Sequence, residues 1–95
     1  MSEPVSVKTT IVNRLGLHAR PAMMFVEIAS EYEAEVKVRR CDQDEVVDGK
    51  SIMQLMMLAA TEGTALEITA QGADAQKAIS SLTDLIKSKF SEADS

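Results

Sequence analysis

The chain predicts an α/β fold of the α+β kind: a two-layer sandwich in the order β-α-β-β-α-β-α, with a four-stranded antiparallel sheet covered on one face by three helices. Three observations carry this prediction. Apolar and polar residues alternate in several short, separate stretches, the period of a half-buried strand. Apolar residues recur at helical spacing in the stretches between them. Two of the alternating stretches are joined by a polar turn too short for a crossover helix, so those neighbours must run antiparallel.

In the first stretch, Val5, Val7, Thr9 and Ile11 hold one face while Ser6, Lys8 and Thr10 hold the other. This predicts strand one. Asn13 to His18 breaks the alternation, with Gly16 free to adopt a backbone angle other residues avoid. Ala22, Phe25, Ile28, Ala29 and Tyr32 then follow at helical spacing, opposite Glu27, Glu31 and Glu33, and predict helix one over 19–32.

"EVKVR" places Val36 and Val38 inward, "CDQD" reads as a polar turn and "EVV" as a short return strand. "IMQLMMLAA" is too long an apolar run for a small-domain strand and is rich in helix formers, so it predicts helix two, closed by Gly63 as its C-cap. In "LEITAQ", Leu66, Ile68 and Ala70 share one face of strand four. From Asp74 as N-cap, Ala75, Ala78, Ile79, Leu82, Leu85, Ile86 and Phe90 trace the stripe of helix three, and "SEADS" reads as a frayed tail.

Ninety-five residues suit a single domain, 1–95, since halving the chain would leave two marginal cores. A content of 45% hydrophobic and 26% charged residues is too apolar for disorder. The net charge of −5 argues against a nucleic-acid reader and for protein partners with basic surfaces. Cys41 is the only cysteine, which excludes an internal disulfide and fits a cytoplasmic protein. The N-terminus has no export-signal pattern, and the longest apolar run falls far short of the ~20 residues a membrane helix needs, so no direct membrane insertion is expected.

The single histidine stands in "GLHARPA". Pro21 belongs in a first helical turn, which puts His18 at or beside the N-cap of helix one. A helix start offers backbone N–H groups without partners and partial positive charge, and Arg20 adds a guanidinium fork, so an anion such as a phosphoryl group would be well received there. A neutral imidazole nitrogen is a nucleophile able to accept such a group. From spacing alone, simple capping and covalent chemistry both remain open. One histidine and one cysteine do not make a metal site, and no cofactor is expected.

"NRLGLHARPA", Asn13 through Ala22, resembles the active-site signature of the HPr family, the histidine-containing phosphocarriers of the bacterial phosphoenolpyruvate-dependent phosphotransferase system. "GKSIMQLMMLAATEGT" and "ITAQGADAQKAISSL" resemble further segments of that family, so the likeness covers essentially the whole chain. The resemblance implies an open-faced β-sandwich and a carrier, not an enzyme. His18 would take a phosphoryl group on Nδ1 from enzyme I and pass it to EIIA proteins or domains in sugar uptake. Arg20 would neutralise its charge, and Gly16, Leu17 and Ala19 would shape the seat. The family's nitrogen-related branch is the alternative.

Ser51 is a good N-cap for helix two on its own account. The resemblance also makes it, with Lys50 beside it, the site of HPr kinase/phosphorylase in some bacteria. Helix two is apolar almost all round, with Ile52, Leu55, Met56 and Ala59 in one stripe and Met53 and Met57 outside it. Such a short helix cannot bury every side, and Met adapts to varied partners, so a generous core and an exposed contact face both remain open. The resemblance implies Ile52, Met53 and Met56 as a docking patch, with Met24 a weaker candidate. The hairpin "RRCDQDEVVDGKS" looks longer than in familiar members and lacks their Asn-Gly turn, and Cys41 near its tip reads as an incidental thiol.

Two other classes compete with the carrier. A small acidic chain with a serine opening a Met-rich helix suits an acyl-carrier-like protein, although the alternating strands count against that all-helical architecture. A regulatory binding module could use helix two without any chemistry. A monomer is expected in each case.

Overall fold

A computed structural model describes residues 3–91. The elements are β1 (Val5–Thr10), α1 (Ala19–Ser30), β2 (Glu35–Arg40), β3 (Val46–Asp48), α2 (Ile52–Met57), β4 (Ala65–Gln71) and α3 (Ala75–Lys87), followed by a 3-10 turn over Lys89–Ser91. The predicted frayed tail lies mostly outside the described residues. All strand pairings are antiparallel, in the order β1-β4-β2-β3. The four-stranded sheet and three helices of the sequence reading are therefore present.

Alternation in the sequence becomes sidedness in the sheet. Val36, Val38, Val47, Leu66, Ile68 and Ala70 are buried, and α3, whose buried stripe is Ala75, Ala78, Ile79, Leu82, Leu85 and Ile86, packs on β1 and β4. Phe25 of α1 and Phe90 fill the space between, each fully buried side chain contributing about 1.5–3 kcal/mol. Phe90 reaches the core from beyond α3 because Lys89 and Phe90 both adopt left-handed backbone, at φ 60° and 56°. The other sheet face is polar, with Ser6 and Thr69 joined by a 2.8 Å hydroxyl contact and Arg39 paired to Glu67 at 2.9 Å.

Four local expectations change. Helix one stops at Ser30, two residues early, because the following turn is held from outside: the Asp74 carboxylate accepts from the Glu33 and Ala34 N–H groups, and Lys50 Nζ donates to the Tyr32 carbonyl. Asp74, the residue before α3, consequently makes no side-chain cap bond to that helix. Helix two stops at Met57, and the left-handed residue after it is Ala59, at φ 52°, not Gly63. Gly63 instead turns the chain into β4, its N–H donating to the Ile11 carbonyl. The return strand lies one residue later than "EVV", with Asp48 opposite Lys37.

Candidate functional site

The loop before α1 is fixed by its own backbone and by the segment after α2. The side-chain amide of buried Asn13 donates to the Gly16 carbonyl at 2.8 Å, and the Gly16 N–H returns to the Asn13 carbonyl at 3.1 Å. Gly16 sits at φ 73°, and a Cβ there would stand 2.5 Å from the Ala60 carbonyl oxygen, so only glycine fits. That same carbonyl accepts the Leu17 N–H at 2.8 Å. With Gly16 and Leu17 both buried, their part is to hold the loop in place.

His18 follows directly as N-cap of α1, half-buried and with extended backbone, φ −84° and ψ −169°. Its carbonyl accepts the Ala22 N–H at 2.9 Å, but its side chain makes no cap bond to the helix. Pro21 brings no N–H, so Ala19 and Arg20 carry the backbone donors that the helix itself leaves over at this end. Both residues are exposed. Positive helix-end charge and an exposed guanidinium thus stand beside the one imidazole, an arrangement suited to an anion.

Ser51 opens α2 in a different manner. Its Oγ accepts the Gln54 N–H at 3.2 Å, while Gln54 Oε1 accepts the Asp48 N–H at 2.9 Å. Lys50 Nζ donates to the Tyr32 carbonyl at 2.8 Å.

The apolar stripe expected along helix two is only partly buried, because Leu55 and, beyond the helix, Leu58 face inward while Ile52 and Met56 stay exposed. Met53 is 78% exposed, in keeping with a docking role. Met24 is half-buried and packed against the core, while its neighbour Met23 is exposed. Leu15, Met23 and Val46 join the exposed apolar residues although the sequence pattern did not single them out, and Met57, outside the predicted stripe, is exposed as well. α1 and α2 pack against each other, which places their exposed apolar residues on neighbouring elements.

A surface cavity of about 470 Å³ lies by the hairpin, bordered by Arg40, Cys41, Asp42 and Gly63; neither His18 nor Ser51 lines it. Among the described residues, no cluster of His, Cys, Asp and Glu could hold a metal ion, and no helix is long and apolar enough to cross a membrane.

Residues 5–88 match the family model described as "PTS HPr component phosphorylation site". The chain belongs to the HPr family. It is 50% identical over 82 residues to the phosphocarrier protein HPr of Neisseria meningitidis, covering 86% of this chain and 90% of that one. It is 38% identical over 90 residues to the phosphocarrier protein NPr of Klebsiella oxytoca, covering 93% and 99%. The crystal structure of HPr-C-His from Thermoanaerobacter tengcongensis superposes with a TM-score of 0.87 at 40% identity, covering 94% and 98% of the two chains. The α+β architecture is that of HPr structures, and as an HPr-family member the chain is a phosphocarrier of the phosphotransferase system and not an enzyme.

Proposed function

We propose that His18 is the residue that carries the phosphoryl group. Its Nδ1 lone pair forms a bond to phosphorus as the bond to the phosphohistidine of enzyme I breaks, and that electron pair returns to the donor ring. Passing the group to a histidine of an EIIA protein or domain repeats the step in the opposite sense, one phosphorus–nitrogen bond exchanged for another. The observation that carries this reading is the position of the imidazole at a helix start whose Ala19 and Arg20 N–H groups its own side chain does not cap. Those donors and the Arg20 guanidinium receive the equatorial oxygens, where charge accumulates during transfer.

Ile52, Met53 and Met56, extended by Met57, Met23 and Leu15, form the face that meets both partners. Sugar uptake is the leading context, and the likeness to a phosphocarrier named NPr makes the nitrogen-related branch the second reading. Ser51 is the regulatory position where a serine kinase of the HPr kinase/phosphorylase type is present. A phosphate on its Oγ is compatible with a helix start, so its effect arises by adding negative charge to the docking face. The chain works as a monomer in the cytoplasm.

Incubation with phosphoenolpyruvate and a cognate enzyme I tests the reading. An acid-labile phosphoryl adduct is expected on the intact chain and none on His18→Ala; a labelled His18→Ala chain overturns it. Met53→Glu is expected to raise the enzyme I concentration needed for half-maximal labelling, which a titration with enzyme I measures.

A further inference from the structure

The segment that ends α2 ties the loop before His18 to the β2–β3 hairpin through one arginine. The Asp42 carboxylate grips the Arg40 guanidinium in parallel, Nε to Oδ1 at 3.0 Å and Nη2 to Oδ2 at 2.9 Å, which orients the remaining nitrogen. That nitrogen, Nη1, donates to the Leu58 carbonyl at 3.0 Å and to the Ala59 carbonyl at 3.3 Å. The next carbonyl along, Ala60, holds the Leu17 N–H and closes over Gly16.

Ala59 needs such support. Its φ of 52° is the left-handed region, where a residue with a Cβ is strained unless its surroundings hold it. Arg40 supplies bonds on both sides of that strained residue's peptide and leaves the Ala60 carbonyl aimed at Leu17. Arg39, one residue earlier, bears the same charge but works elsewhere: its Nη1 stays within the hairpin, on the carbonyls of Arg40, Cys41 and Gln43, and its Nη2 goes to Glu67.

We propose that Arg40 is a positioning residue for phosphoryl transfer, fixing through Leu58, Ala59 and Ala60 the backbone that presents His18. This rests on His18 being the acceptor. A reacting group held by a supporting network loses rate when that network slackens, even if nothing in contact with the phosphoryl group has changed.

The test measures the labelling of His18 by phosphoenolpyruvate and enzyme I together with amide hydrogen exchange in wild type, Arg40→Met, Arg40→Lys and Arg39→Met. In Arg40→Met the maximal labelling rate is expected to fall about tenfold with the half-saturating enzyme I concentration unchanged. The Leu17 amide is expected to exchange about tenfold faster relative to the central-strand amide of Ile68. Arg40→Lys, which cannot grip Asp42 with a fork, remains slow, and Arg39→Met matches wild type in both readouts. The proposal is overturned if Arg40→Met keeps the wild-type maximal rate, or if its Leu17 and Ile68 amides lose protection in equal proportion, which is general loosening. Labelling of His18→Ala would overturn the acceptor reading instead, and the Leu17 to Ile68 exchange ratio would still decide the Arg40 link.

Discussion

The starts of α1 and α2 present the same problem to the backbone and answer it differently. Ser51 turns its hydroxyl back onto the Gln54 N–H, and Gln54 in turn serves Asp48, so the start of α2 has one of its donors capped from within. His18 occupies the equivalent place before α1 and makes no side-chain cap bond to that helix. The difference teaches that a residue at an N-cap is read by what it does with the helix N–H groups, not by its position alone.

The largest expected effect separates the two ends by function. His18→Ala is expected to abolish phosphoryl labelling while costing less unfolding free energy than the ~1 kcal/mol of a lost cap, as a urea melt would show. If it destabilised the fold as much as a true cap does, the contrast would fail. Next is the loop that holds His18 in place: Gly16→Ala forces a Cβ onto the Ala60 carbonyl and should cost about 1–3 kcal/mol in the same melt while slowing labelling.

Ser51→Ala should cost about 1 kcal/mol by removing a cap and leave the labelling rate of His18 intact. The smallest effect sharpens the comparison with a third helix start. Asp74 precedes α3, and its carboxylate is held below the usual range first by the Glu33 N–H, with further help from Ala34 and the Lys50 charge, against an opposing cost of desolvation. A carboxyl more acidic folded than unfolded stabilises the fold above its unfolded pKa, and that contribution is lost as pH falls through the lowered native value. Asp74→Asn should therefore lower stability near neutrality and flatten the acid limb of stability against pH, the difference from wild type vanishing at low pH, as thermal melts across a pH series would show.

Much of this architecture was legible in the chain because strands and helices announce themselves through sidedness. Val36 and Val38, Leu66 and Ile68, and the stripe from Ala75 to Ile86 are buried as their periodicity requires. Boundaries were less legible, since the end of α2 depends on Arg40 reaching across from β2 and the end of α1 on Asp74 and Lys50. No local pattern encodes such long-range contacts. His18, Arg20 and Ser51 could be singled out because helix-start chemistry is local and the motif around them is specific. The exposure of Met23 or Leu15 could not, because it depends on which side of a short element the rest of the molecule happens to cover.

The strand order also has a consequence for how the chain comes into being. β4 is central, pairing with both β1 and β2, so Val5 must wait for Ala70 and only the β2–β3 hairpin can close early. Pairings so distant along the chain carry a large loop-closure cost and slow the search for the native state. On the ribosome, the loop before His18 lacks its anchor until Ala60 has emerged, and the sheet beneath it cannot knit until β4 follows. A nascent chain is therefore expected to anchor the loop before His18 only after β4 has emerged.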